Sequence, residues 1–419
     1  MQLVKERSPR NPVLIALITM SLLPLGILGV AMYQSALVAI RGAAFQRVEL
    51  ASDLIANTVR LGYAELAAEL QVTASLPRVE TSSAELIKGF REFDSNAVDE
   101  DRVRKGLLTY YTKAVAVDSD EDLVKESEQK NTPKDDAIIR ELQGPGLFLH
   151  DLYVRSNSNG TENKSLLDDA GDGSSYSAGH VELHPVMRSM KERLRLYDVL
   201  LVDANTRNVV YSVNKGRDYG VGFTSNAIQR TGPVDAVDTL LDGSVEDGFT
   251  CVDYTAYGPA GIPVLSLATL VQSEGNVSGV LLFLVSFDQL DQTISKSNTT
   301  SGSVSYEVYG DKWSRATGGE SPEVRTRLFV SDEAQQKFNA FTKSKSYTSG
   351  EKDGVRALLC SASVKSICPQ AVDTDIAWML VATTPEADVM ASAFAVKVFG
   401  QTVFGVTAVA ILLSAFILA

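Results

Sequence analysis

Three cysteines, three histidines and two tryptophans among 419 residues leave several chemistries without material. Three cysteines cannot build a multi-bridge disulfide scaffold or a four-thiolate zinc site. Three histidines offer little for metal binding or acid–base work. Basic residues are also short: 39 Lys and Arg stand against 52 Asp and Glu, a formal charge of -13. A nucleic-acid partner, which wants a basic face, is therefore not expected. The chain has no GxSxG, no Walker loop and no Cys–His pairing in a supporting context, so neither a catalytic constellation nor a cofactor is expected within it. Apolar residues are not scarce. At 45% they are too many for a disordered chain and too few for a polytopic transporter.

Those apolar residues are unevenly spread. Val13 to Tyr33 and Val398 to Ala419 are runs of 21 and 22 residues without a charge, and no interior stretch matches them. A bilayer core of ~30 Å needs about 20 such residues in helix, so the pattern predicts membrane spans at 13–33 and 398–419. Pro24 is tolerable in a membrane helix. The first run exceeds the usual apolar core of a signal peptide, which favours an uncleaved anchor. Lys5, Arg7 and Arg10 precede it, placing residues 1–12 in the cytoplasm and residues 34–397 outside. An output domain would lie beyond Ala419, or the chain is a natural truncation; both readings stand.

Gln34 to Leu76 has helix-forming composition and no proline, and Ile55, Val59, Leu66 and Leu70 form a loose seam along it. That seam pairs with a second copy or packs on the chain's own domain. Glu85 to Val117 continues helical, and the charged stretch Asp118 to Asp136 reads as solvated surface. From Leu147 the pattern turns β-like. LFLHDLYVRS, YDVLLVDA, NVVYSVNK, FTCVDYTAY, VLSLATLV and VSGVLLFLVSF are separated by turn residues. SVSYEVYGDKW, VRALLCSASV and IAWMLVATTP repeat the signal between Ser303 and Pro385. The expected organisation is a stalk and helical part at 34–145, a sheet module at 146–290 and a second, smaller, membrane-proximal one at 291–390.

With the strings LLDDAGDGSSYSAGHVELHP, LYDVLLVDANTRNVVYSVNKGRDYGVGF, VDYTAYGPAGIPVLSLATLV and AWMLVATTPEADVM, this layout resembles the double Cache sensor domain of bacterial transmembrane receptors. Chemotaxis receptors, sensor histidine kinases and receptor cyclases and phosphatases carry such domains. The resemblance implies an α+β fold: a long N-terminal stalk helix carrying two tandem Cache (PAS-like) antiparallel-sheet modules, flanked by two transmembrane helices. It further implies a homodimer in the bacterial plasma membrane with a large periplasmic region. A small molecule would bind in the distal module, and helix displacement would carry the signal. A chemoreceptor-like output is expected first, with kinase, cyclase or phosphatase as alternatives.

The family's pocket location and the residue types single out Arg188, His184, Tyr197, Asp198, Tyr211, Lys215, Asp253 and Tyr254 as ligand contacts. Asp suits an amine, Arg or Lys a carboxylate, and Tyr a pocket wall. Amino-acid-binding members carry an Arg-x-Trp-Tyr cluster after the second strand; KGRDYGVGFTSN has no Trp there, so the ligand class stays open. His180 and His184, one helical turn apart, and Asp168, Asp169 and Asp172 raise the thought of a metal, but no metal is expected. LDDAGDG lacks the calcium-loop spacing and reads as a turn. Cys360 and Cys368 flank a turn-like stretch and could form a disulfide in an oxidising periplasm, whereas Cys251 reads as a small buried apolar residue. Two rival readings remain: a membrane-anchored external metal-dependent hydrolase built on His150, His180 and His184, and a structural protein with a closed pocket.

Overall fold

The structure, a computed structural model, describes residues 10–93, 99–118, 135–226, 228, 231–245, 247–301, 304–310, 314–316, 348–352, 355–364, 367, 376 and 378–418. Helix α1 (Arg10–Ala74) runs unbroken through Pro24 for 65 residues, roughly 100 Å at the α-helical rise. The predicted span and the predicted stalk are thus one element. α2 (Pro77–Arg91) opens on a proline at its first position, where no N–H is needed. α3 (Glu100–Asp118), α4 (Asp135–Glu141), α5 (Gly144–Leu149) and a π-helical turn (His150–Arg155) follow. α6 (Ser175–Leu194) is capped by Ser174, whose side chain accepts from the Ser177 N–H, and ends at left-handed Arg195.

Strands β1 (Asp198–Asp203), β2 (Val209–Ser212), β3 (Phe249–Tyr257), β4 (Ile262–Ser273) and β5 (Asn276–Val285) form an antiparallel sheet in the order β2-β1-β5-β4-β3. α7 (Gly232–Leu241) packs on β3 and β4. After α8 (Phe287–Ser301) come β6 (Ser305–Tyr309), β7 (Ser314–Ala316), β8 (Thr348–Lys352), β9 (Val355–Val364) and β10 (Trp378–Pro385). These make a second antiparallel sheet, β7-β6-β10-β9-β8. Shifted by five strands, the two orders are the same, so one topology occurs twice in the chain. β10 runs directly into α9 (Glu386–Leu418).

The strand runs of the sequence land on β1–β6, β9 and β10. LFLHDLYVRS does not: it forms α5 and the π turn. Leu147, Phe148, Leu149, Tyr153 and Val154 are all buried, and a short run buried on every side has the same apolar pattern as a core strand. The seam residues Ile55, Val59, Leu66 and Leu70 face inward, where α1 packs on β4 of the first sheet and β9 of the second. The outward face of α1 carries Leu50, Leu54, Leu61 and Val72 instead, each more than half exposed. Arg91 on α2 holds the β1–β2 turn by an ion pair to Asp203, which also accepts from the Asn205 N–H and the Thr206 hydroxyl.

Among the described residues, one helix is long and apolar enough to cross a membrane, and it lies near the N-terminus. The apolar stretch Lys397–Leu413 within α9 is shorter. The two segments lie side by side and antiparallel: a Cβ on Gly26 would meet the Phe404 ring at 3.8 Å, and Arg41 pairs with Glu386. The Cys360–Cys368 expectation is corrected. Cys360 is a free, buried thiol on β9, pushed up to about 11 by burial, whereas Cys251 on β3 is disulfide-bonded. Closeness in sequence set the expected pair, but strand placement decides which sulfurs meet. Cys368 lies outside the described residues.

Candidate functional site

The first sheet and α6 enclose a layer of buried polar and aromatic side chains. Tyr176, His180 and His184 follow one another at four-residue steps, so they form a stripe on one face of α6. All three are buried, as are His150 and Tyr153 from the π turn and Tyr211, Lys215 and Tyr219 from β2 and the loop after it. π turns re-aim side chains that a regular helix would point elsewhere. Lys215 adopts φ +52, a left-handed conformation unusual for a residue with a Cβ. Its N–H donates to the Ser212 hydroxyl oxygen at 2.8 Å, which anchors that turn.

The His184 Nδ1 lies 2.7 Å from the Tyr211 hydroxyl, and its Nε2 lies 2.8 Å from the Ser165 carbonyl oxygen and 3.0 Å from Lys215 Nζ. One ring nitrogen cannot donate to a carbonyl and accept from an ammonium at once, so with Nε2–H donating to Ser165 it offers a charged Lys215 no acceptor. Arg188 donates to the same Ser165 carbonyl at 3.0 Å and to Asp168 at 2.6 Å. His180 stacks on His184 at 4.4 Å between centroids. Its Nδ1 lies 2.7 Å from the Asp168 carbonyl oxygen and must carry the proton there, while its buried Nε2 has no partner among the described residues. The Tyr153 ring is 4.6 Å from the His180 ring, and Lys215 Nζ sits over it at 5.9 Å.

Burial dominates the electrostatics. Desolvation takes His184 and His150 down to about 3 and holds His180 well below the ordinary range, with neighbouring cations adding to the effect. All three imidazoles are therefore neutral at pH 7. Desolvation also takes Lys215 down to about 7, against the pull of Asp198.

A second polar group adjoins this one. Asp198 accepts from the Ser212 hydroxyl at 2.7 Å and from the Val199 and Asn214 N–H groups at 2.7 and 3.0 Å. Asp218 accepts from the Tyr257 hydroxyl at 2.6 Å. Burial, then the neighbouring Asp218, pushes Asp198 up to about 7. A folded value above the unfolded one of about 3.9 means that the folded protein retains a proton between roughly pH 4 and 7. Stability from this group is thus present at pH 4 and lost as pH rises through 7. Asp198→Asn keeps an acceptor and cannot ionise. It is expected to raise the thermal midpoint at pH 8 and leave it near wild type at pH 4.5. Parallel midpoint-versus-pH curves would contradict this.

Of the residues singled out in the sequence, Arg188, His184, Tyr211 and Lys215 converge. Asp198 belongs to the adjoining group, and Tyr197 contributes a backbone carbonyl to the Asn214 amide at 2.6 Å. Asp253 and Tyr254 do not join them. The strand register shifts between Val252 and Thr255, and this bulge turns both to a junction with Trp378 and Tyr63. Tyr153, Tyr176 and Tyr219 were missed; only the four-residue spacing of Tyr176 with the two histidines hinted at one of them. Among the described residues no three His, Cys, Asp or Glu side chains gather in a metal-binding arrangement. Asp169 and Asp172 bond within their own turn, to the Gly171 N–H and to Ser174 and Ser177.

No family model and no curated protein matches this chain. Solved structures do. The ligand-binding domain of Mlp24 with asparagine is 16% identical, aligned over 50% of this chain and 80% of that one, with a TM-score of 0.30. The ligand-binding domain of the Pseudomonas fluorescens chemoreceptor CtaA with L-isoleucine is 12% identical over 47% and 72%, TM-score 0.28. The ligand-binding domain of the Pseudomonas aeruginosa PAO1 amino acid chemoreceptor PctB with L-Arg is 12% identical over 49% and 76%, TM-score 0.32.

Proposed function

We propose that this chain is the extracytoplasmic sensing part of a bacterial transmembrane signalling receptor. In this reading it carries two tandem Cache modules and binds a small molecule in the first. The observation that carries it is the buried cluster around Lys215 and His180, which holds polar groups without full partners. Groups buried this way are costly unless something pairs with them. The cluster sits in a sheet mounted on α1, the same helix whose N-terminal part is the membrane candidate. The repeated strand order supports two modules of one kind, the antiparallel α1–α9 pairing supports a second span, and Lys5, Arg7 and Arg10 ahead of the first span favour a cytoplasmic N-terminus.

The exposed Leu50, Leu54, Leu61 and Val72 support a homodimer. At 100° per residue they fall within roughly 40° of one another, a narrow seam of the kind that pairs helices. Ligand binding would shift α1 and α9, a change that needs only a few kcal/mol of differential affinity. The output is chemoreceptor-like in this reading, and the chain itself is not an enzyme.

The test is a thermal-shift screen of the full chain in lipid nanodiscs with amino acids, polyamines, carboxylates, purines, sugars and divalent metals. One class is expected to raise the midpoint by about 2–4 °C at 100 times its Kd, the size that mass action requires. A folded protein that none of them stabilises would count against the sensor.

A further inference from the structure

Lys215 and His180 constrain the chemistry of what binds beside them. Lys215 is fully buried, and no carboxylate pairs with it among the described residues. The nearby carboxylates are engaged elsewhere: Asp168 with Arg188, Asp172 with Ser174 and Ser177, and Asp198 with Ser212 and two backbone N–H groups. An anion bound here would hold Lys215 in the charged form that burial alone disfavours.

His180 asks for the opposite. Its Nδ1–H is committed to the Asp168 carbonyl, so the unpartnered Nε2 presents a lone pair and calls for a donor. Both groups border the same two rings. Lys215 Nζ meets the edge of His184 and the face of Tyr153; His180 stacks on His184 and lies against Tyr153. A ligand ammonium could donate to Nε2, but it would be placed beside the Lys215 cation with no carboxylate free to receive it. A hydroxyl donates without charge.

Resting on the sensor reading above, we propose that this site takes a small 2-hydroxy carboxylate, its carboxylate on Lys215 Nζ and its hydroxyl donating to His180 Nε2. Propionate lacks the donor, alanine replaces it with a cation, and lactamide lacks the anion. Each leaves one buried group unpaired, and a buried group left unpaired weakens binding by about tenfold or more.

The experiment is isothermal titration of the full chain in nanodiscs with lactate, glycolate, malate, propionate, alanine, lactamide and chloride. At least one of the three hydroxy acids is expected to bind, with propionate and alanine about tenfold or more weaker and lactamide and chloride silent. Lys215→Met is expected to abolish binding. His180→Phe is expected to make lactate and propionate equal, a loss of selectivity that a purely structural role would not produce. Equal or tighter binding of alanine, lactamide or chloride would overturn the ligand class and leave a binding site standing. Silence from all seven probes overturns the class too. The sensor reading itself falls only if the wider thermal-shift panel is also flat.

Discussion

Gly146→Ala is expected to lower stability by about 3 kcal/mol or more, seen as a fall in the urea or thermal midpoint. A Cβ on Gly146 would stand 2.2 Å from the Gly220 carbonyl oxygen and 3.0 Å from its carbonyl carbon. The neighbour is backbone, so no rotamer change relieves the clash. Nor can Gly220 retreat. Its N–H donates to the Val209 carbonyl at 2.7 Å, while the Val209 N–H donates to Val221 at 2.9 Å, tying the loop to β2. Gly220 itself sits at φ +78, which keeps its own replacement strained. The contact presses α5 against the loop that carries Tyr219, so the variant is also expected to loosen the cluster around Lys215. Gly62→Ala is the control. It lies within α1 with nothing within 4 Å of a new Cβ, and should raise stability by up to about 1 kcal/mol through helix propensity.

Trp378→Ala is the second large effect, about 3–5 kcal/mol for truncating a buried tryptophan. Trp378 is 1% exposed at the start of β10. Its Nε1 donates to Asp253 at 3.1 Å, and its ring meets Tyr63 edge-on at 5.1 Å. Tyr63 and Tyr254 join hydroxyls at 2.7 Å, and Tyr254 stacks on Phe287 at 4.0 Å. One residue therefore joins α1, the first sheet and the strand that leads into α9. Hydrogen exchange is expected to show β10 losing more protection than β5 in this variant, because the truncated side chain belongs to β10 while its partners outside that sheet, Asp253 and Tyr63, lie on β3 and α1. Equal losses would mean that Trp378 serves general stability and does not join the sheets. Trp378→Phe keeps the ring packing and removes the bond to Asp253, so its smaller effect reports that bond.

Most strands of both sheets are legible because their apolar runs are bounded by turn residues and their length suits a core strand. FTCVDYTAY coincides with β3 and VRALLCSASV with β9. LFLHDLYVRS was misread for a physical reason: burial on every side erases the periodicity that separates helix from strand. The α1 seam was found, but its direction was not. Spacing shows that a face is apolar and says nothing of what covers it, so the exposed stripe at Leu50, Leu54, Leu61 and Val72 appears only once the helix is placed on the sheets.

The site divides in the same way. Local chemistry marked Arg188, His184, Tyr211 and Lys215, and the fold brings them together. It also marked Asp253 and Tyr254, which a single bulge carries off to another junction. By itself the sequence determined the acidic, histidine-poor character of the chain, the apolar N-terminal segment and most strands, since each depends on composition or on periodicity over a few residues. Tertiary structure alone decided that Cys251 is disulfide-bonded while Cys360 is free, and that among the described residues Lys215 is buried without a carboxylate and His180 keeps an unused nitrogen. Each of those facts depends on groups tens of residues apart meeting in space, and no local pattern encodes such a meeting.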